Sequence, residues 1–139
     1  VDLLLAVPHP VVLPLHPRTE ARLDAAGWLA ELEAAPHVAL QPPLGYLAFT
    51  SLLTRARAVL TDSGGVQKEA YLAGVPCVTL RDTTEWVETV DVGWNVLVDL
   101  DRGRALAAID RDLPAERPEL YGDGRAGERV VGAIADPGS

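Results

Sequence analysis

The sequence predicts an α/β fold in which helices cover both faces of a parallel sheet. Apolar runs of strand length alternate along the chain with stretches of helical periodicity. Such uninterrupted apolar runs are typical of strands that are buried on both faces. Polar clusters follow several of these runs, at the edge of a parallel sheet where ligands usually bind. With 139 residues and 48% hydrophobic content, the chain is sufficient for one packed domain.

The elements follow from periodicity and from their start and stop residues. Residues 1–7 are apolar and predict the last turns of a helix, which Pro8 and Pro10 end. The predicted strands are residues 11–15, 38–40, 58–60, 77–80 and 95–98. Helices are predicted at 19–26 (capped by Thr19), 28–35, 46–57, 66–73, 86–91 and 102–111. A proline-bearing connector at 113–121 and a helix at 124–135 precede a loose tail at 136–139.

Composition excludes several classes of protein. Twelve basic and twenty acidic residues give a net charge of −8, which argues against a nucleic-acid or anionic-membrane surface. Cys77 is the single cysteine, lies in an apolar run and is expected in the core. No run reaches transmembrane length, residues 1–7 lack the features of a signal peptide, and we expect a cytoplasmic protein. The three histidines are scattered and predict no metal site.

The turn Asp62-Ser63-Gly64-Gly65 joins a predicted strand to a predicted helix. Its glycines allow close approach of a ligand to the backbone, and the first amides of a helix lack internal partners. The turn is therefore suited to an anion, with Glu69 placed to accept hydrogen bonds from a ribose diol. The alternative is a plain helix start capped by Asp62 or Ser63.

Several motifs together resemble one family, the non-hydrolysing UDP-N-acetylglucosamine 2-epimerases. They are Leu15-His16-Pro17-Arg18-Thr19, Pro43-Leu44-Gly45-Tyr46-Leu47-Ala48-Phe49, Leu60-Thr61-Asp62-Ser63-Gly64-Gly65-Val66-Gln67-Lys68-Glu69-Ala70, Gly74-Val75-Pro76-Cys77, Leu80-Arg81-Asp82-Thr83-Thr84-Glu85, Gly93-Trp94-Asn95-Val96-Leu97-Val98 and Tyr121-Gly122-Asp123-Gly124. The resemblance covers nearly the whole of this chain. It extends only to the C-terminal domain of the family's enzymes. It implies one Rossmann-like, UDP-binding domain, the C-terminal half of a glycosyltransferase-B-type fold.

The resemblance also implies an activity. The family interconverts UDP-N-acetylglucosamine and UDP-N-acetylmannosamine by anti-elimination and re-addition of UDP, which requires no redox cofactor. The full-length enzyme is expected to be a homodimer that makes polysaccharide precursors, and the acid and base carboxylates come mainly from the N-terminal domain. This chain alone is therefore expected to be inactive.

By position, the resemblance places the diphosphate at Ser63, Gly64 and Gly65 and the ribose at Glu69. The backbone of Leu44 and the ring of Phe49 would frame the uracil, although both are equally compatible with a core role. Glu69 is otherwise a solvated helix residue.

His16 lies on the rim of the family's cleft, and Arg81 and Glu85 lie near the sugar. His16 and Glu85 are weak candidates for a catalytic role, and their alternatives are a loop or cap residue and a capping carboxylate. The family often has Arg where this chain has Trp86, so a cation that could neutralise phosphate is missing.

The first strand of a Rossmann-like sheet lies between the second and the fourth, here residues 11–15 and 58–60. Residues 1–7 cannot be that strand, because residues 8–10 are too short for a parallel crossover. We therefore expect a gap in the sheet and a partial chain. Two alternatives to an epimerase stay open: a non-catalytic nucleotide-sugar binding module, and the donor domain of a glycosyltransferase. Thr83-Thr84-Glu85 together with the glycine turn favours the epimerase.

Overall fold

A computed structural model describes residues 1–135, and the predicted tail at 136–139 lies outside them. The strands are β1 (Val11–Pro14), β2 (Val38–Gln41), β3 (Val59–Thr61), β4 (Cys77–Thr79) and β5 (Asn95–Leu97). The helices are α1 (Asp2–Ala6), α2 (Pro17–Ala25), α3 (Leu29–Ala34), α4 (Tyr46–Leu53), α5 (Gly64–Ala73), α6 (Val87–Asp91), α7 (Arg102–Ile109) and α8 (Ala126–Ala135). All five predicted strands and the alternation of strands with helices are confirmed.

Every strand pair in the described residues is parallel. β1 pairs with β2, with Val11 opposite Val38. A separate sheet has the order β3-β4-β5, and Cys77 in its centre is opposite both Val59 and Asn95. Parallel neighbours need crossover connections, and helices supply them here.

Apolar clusters lie on the two faces of the β3-β4-β5 sheet. On one face, Val78 packs in a cluster with residues of α7, and α1 also contacts α7. On the other face, Cys77 packs in a cluster with residues of α4 and α5. Successive residues of a strand point to opposite faces, so the neighbours Cys77 and Val78 join different clusters. Helices therefore cover both faces of the sheet, as predicted.

The sheet is split where the missing first strand was expected. An apolar cleft of about 470 Å³, which we call the strand groove, lies between β1 and β3 and is also lined by α1 and α4. Within the described chain, β1 pairs with β2 alone and β3 with β4 alone, so each strand has an unpaired edge. Asp110 connects the two sides of the split: it accepts from His9 Nε2 at 2.8 Å and from Arg57 Nε at 2.7 Å.

Some predicted helix ends were wrong for local reasons. Thr19 does not cap α2; His16 does, by accepting from Arg18 N at 3.3 Å, and Pro17 takes the first helical position, which suits its fixed φ. The helix predicted at 46–57 ends at Leu53, after which the chain tightens into i→i−3 bonds. The last helix starts at Ala126, because Gly124 has a φ of +78°.

Candidate functional site

The candidate site is built on the turn between β3 and α5. Ser63 is the N-cap of α5, with extended backbone, and its Oγ lies 3.5 Å from the amide of Val66. The helix begins two residues earlier than predicted, because both glycines take helical geometry. Ser63 N donates to Thr61 Oγ1 at 3.0 Å, which fixes the turn to the end of β3. The prediction of a strand that feeds a helix through this turn is confirmed.

The amides of Gly64 and Gly65 point out of the start of α5. Within residues 1–135, neither amide donates to a protein acceptor. Ser63 and Gly65 are exposed, so solvent or a ligand has access to this end of the helix. Unpaired amides and the positive end of the helix dipole together favour a bound anion.

Gly64 lies against the loop that follows β4. A Cβ built on Gly64 would lie 2.0 Å from Oε1 of Glu85 and 3.4 Å from the indole nitrogen of Trp86. Glu85 in turn pairs through Oε2 with Arg81 Nη1 at 3.1 Å. In the free protein, a carboxylate therefore lies beside the amides that would bind an anion. The pair is partly exposed and contributes only about 0–1 kcal/mol to stability.

A buried polar network fixes this loop to α5 and β5. Gln67 is fully buried on α5, and its Oε1 accepts from Thr84 Oγ1 at 2.6 Å and from Asn95 Nδ2 at 3.2 Å. Asn95 also donates to Thr89 Oγ1 at 3.2 Å and accepts from Thr79 Oγ1 at 2.7 Å. Because buried hydrogen-bonded groups resist displacement, the network holds the loop at Thr84, the residue before Glu85.

Sequence reasoning missed this network. Its only signal is the presence of Thr79 and Asn95 within otherwise apolar strands. A polar residue that is fully buried in a sheet is hydrogen-bonded as a rule, so these two positions predict partners without identifying them.

Aromatic rings and the ammonium group of Lys68 pack beside the loop. Lys68 Nζ lies 4.7 Å from the ring centres of both Trp86 and Tyr121. Tyr121 packs edge-on against Trp86 and Tyr71, which ties the predicted connector to α5. Burial, together with a hydrogen bond to Glu88, raises the pKa of the Tyr121 phenol, which therefore stays protonated at neutral pH.

The remaining predicted site residues lie in different surroundings. Glu69 is half-buried on α5, and its side chain makes no hydrogen bond within residues 1–135. His16 is exposed and caps α2. Leu44 is half-buried ahead of α4, and Phe49 packs beside the cluster of Leu53 and also lines the strand groove. The structure thus brings Arg81 and Glu85 to the glycine turn, and gives Phe49 contacts that favour its core role.

Two further properties concern the described residues alone. Residues 1–135 contain no group of three or more His, Cys, Asp or Glu side chains arranged to hold a metal ion. None of the helices in that range has the length and apolarity needed to cross a membrane.

Parallel α/β domains commonly bind phosphate groups at a helix start that follows a glycine turn, and the β3–α5 turn has this arrangement. The family profile described as UDP-N-acetylglucosamine 2-epimerase matches residues 2–135. The chain therefore belongs to the UDP-N-acetylglucosamine 2-epimerase family, as the sequence motifs indicated.

Individual relatives agree with this assignment. A UDP-N-acetylglucosamine 2-epimerase homolog from Methanococcus maripaludis is 42% identical over 87% of this chain and 34% of its own length. A UDP-2,3-diacetamido-2,3-dideoxy-D-glucuronate 2-epimerase from Pseudomonas aeruginosa is 45% identical over 91% of this chain and 35% of its own length.

A solved structure of the family has the same fold. It is the UDP-GlcNAc 2-epimerase of Methanocaldococcus jannaschii in complex with UDP-GlcNAc and UDP, which is 38% identical, with a TM-score of 0.76 over 89% of this chain and 35% of that one. The chain thus spans about a third of the length of the relatives it matches.

Proposed function

We propose that this chain is the UDP-binding part of a UDP-N-acetylglucosamine 2-epimerase. The observation that carries the proposal is the pair of unpaired amides at Gly64 and Gly65, beside the hydroxyl of Ser63 at the start of α5. These groups suit a diphosphate, and related proteins with this fold have been solved with UDP-GlcNAc and UDP. Glu69, one helical turn further on, is the proposed partner of the ribose hydroxyls.

The proposed reaction includes two proton transfers at C2, one on each face of the sugar. A base removes the proton at C2 of the sugar, the C1–O bond breaks, and UDP leaves with the electron pair. The product is a 2-acetamidoglucal. UDP then adds back at C1 while C2 accepts a proton on the opposite face. The amides of Gly64 and Gly65 would stabilise the negative charge that develops on the departing diphosphate, because preorganised donors act most strongly where charge develops.

The proton-transfer groups are proposed to belong to another part of the protein. Glu85 brings a carboxylate to Gly64 in the free protein, but this carboxylate is already paired with Arg81, so we do not assign it the role of the base. Two apolar surfaces support a larger protein: the strand groove, and the exposed Val130, Val131 and Ile134 of α8. We propose that the missing first strand of this sheet fills the strand groove and that the N-terminal domain of the enzyme covers the apolar face of α8. A cytoplasmic location and a homodimer also remain predictions.

A related substrate is a second candidate. The Pseudomonas aeruginosa relative is named for a diacetamido-glucuronate sugar. Both sugars would present the same UDP to the glycine turn, so residues 1–135 do not discriminate between them. Competition between the two nucleotide sugars in one epimerase assay would assign the preferred substrate.

Titration calorimetry tests the binding proposal. UDP should bind, and uridine, which lacks phosphate, should bind far more weakly. Ser63→Ala and Glu69→Ala should each weaken UDP binding, since each removes one hydrogen-bonding group, worth about 0.5–1.5 kcal/mol net. The exposed residues Ser51 and Glu33 provide matched controls as Ser51→Ala and Glu33→Ala. Unchanged affinity in both site variants would contradict the assignment of the site.

A chimera tests the catalytic part of the proposal. The N-terminal portion of the Methanococcus maripaludis homolog, joined ahead of residue 1, should yield a protein that epimerises UDP-N-acetylglucosamine. A folded chimera that binds UDP without turnover would favour the non-catalytic binding module. Transfer of the sugar to an acceptor would instead favour a glycosyltransferase.

A further inference from the structure

Trp86 carries a hydrogen-bond donor without an acceptor. Its indole nitrogen is buried and has no partner among the described residues. Trp94 differs, because its indole nitrogen donates to the carbonyl of Glu116 at 3.1 Å. Buried Trp N–H groups are normally paired, so the unpaired donor of Trp86 indicates a missing acceptor.

That donor lies at the start of α5. The indole nitrogen is 3.4 Å from the point where a Cβ of Gly64 would stand, and Glu85 Oε1 is 2.0 Å from the same point. The donor and the carboxylate therefore approach Gly64 together, although no hydrogen bond joins them. Glu85 has an exposed, flexible side chain, about half of whose surface is accessible. It can rotate away, whereas the indole cannot.

The indole is fixed from several sides. The backbone amide of Trp86 donates to Thr84 Oγ1 at 3.0 Å, and the backbone carbonyl of Trp86 accepts from Thr89 Oγ1 at 2.7 Å. Tyr121 packs edge-on against the ring at 5.7 Å, and Lys68 Nζ lies 4.7 Å from its centre. A donor that is already positioned loses little conformational entropy when a ligand binds.

We propose that the indole N–H of Trp86 is a diphosphate donor, which acts beside the amides of Gly64 and Gly65. The inference rests on the proposed function. Two negative charges repel at short distance, so the arriving diphosphate displaces the carboxylate of Glu85 and takes the space beside Gly64. The N–H of Trp86 then gains the acceptor that it lacks in the free protein. Trp86 thus contributes a neutral donor at a position where the family often has Arg.

Indole NMR on the whole protein gives the direct test. With ¹⁵N-labelled tryptophan, the protein has three indole N–H resonances, from Trp28, Trp86 and Trp94. Trp28→Phe and Trp94→Phe assign the Trp86 signal by elimination, so the test needs no change at position 86. Saturating UDP should move the Trp86 proton signal strongly downfield, as expected for a new charge-assisted hydrogen bond, and uridine should not.

Affinity gives a second readout. Trp86→Phe keeps an aromatic ring beside Lys68 but removes the donor, and it should weaken UDP binding about tenfold, as expected for a lost bond to a charged group. Uridine affinity should not change, and Trp94→Phe should leave both affinities as in the wild type. UDP binding with an unshifted Trp86 resonance, or with equal affinity in the Trp86 and Trp94 variants, would overturn this inference alone. Absence of any UDP binding would overturn the proposed function as well.

Discussion

Gly64→Ala separates folding from ligand binding at the glycine turn. The added Cβ would lie 2.0 Å from Oε1 and 2.9 Å from Cδ of Glu85, so the carboxylate must move. Both contacted atoms belong to the end of a flexible, exposed side chain. Rotation of Glu85 breaks its ion pair with Arg81, which contributes about 0–1 kcal/mol to stability. Ala in place of Gly stabilises a helix by up to about 1 kcal/mol. The free energy of unfolding should therefore stay within about 1 kcal/mol of the wild-type value.

UDP binding should respond far more strongly to Gly64→Ala. The methyl group occupies the space through which a diphosphate would reach the first amides of α5. Loss of one hydrogen bond to a charged group costs about 1.5–3 kcal/mol, which corresponds to a loss of affinity of about ten- to a hundredfold. Urea denaturation measures the stability and titration calorimetry measures the affinity of the same preparation.

The matched control is Gly127→Ala. Gly127 lies in the first turn of α8, and a Cβ there meets nothing within 4 Å. This variant should gain slightly in stability and bind UDP like the wild type. Equal UDP affinity in the Gly64→Ala and Gly127→Ala variants would refute the placement of the diphosphate beside Gly64.

Three further outcomes are expected. Asn95→Ala should lower the unfolding free energy by about 2–4 kcal/mol in urea denaturation, because it leaves buried partners unpaired; a change below about 0.5 kcal/mol would contradict the network. Burial raises the pKa of Cys77 to about 11 from 9.0. The contribution of this shift to the free energy of unfolding is complete below pH 9. It should fall by about 3 kcal/mol as the pH rises from 9 to 11, and the Cys77→Ala variant should not show this loss. The strand groove should bind the apolar dye ANS. The chimera with the N-terminal portion of the Methanococcus maripaludis homolog should bind less of this dye.

Much of the fold is predictable from the sequence because its signals are local. The apolar runs around Val11 and Cys77 have the length and composition of buried parallel strands, and the structure has strands at both. The gap in the sheet was also predictable, since the three residues before Val11 cannot span a parallel crossover. Helix ends were less predictable: Thr19 is a good capping residue by type, but His16 followed by Pro17 starts α2.

The site was only partly predictable, because its contacts are distant in sequence. The glycine turn carries its own signal in Ser63 and the two residues after it. The approach of Glu85 to Gly64, and the unpaired nitrogen of Trp86, depend on how the loop after β4 packs on α5. That packing is set by Gln67 and Asn95, which are 28 residues apart and whose pairing has no local signature.

A crystal structure of the protein with UDP bound tests the central claim most directly. The proposal predicts diphosphate oxygens within about 2.7–3.2 Å of the amide nitrogens of Gly64 and Gly65, with the carboxylate of Glu85 moved away from Gly64. A well-ordered UDP whose diphosphate lies elsewhere, with Glu85 still against Gly64, would contradict it.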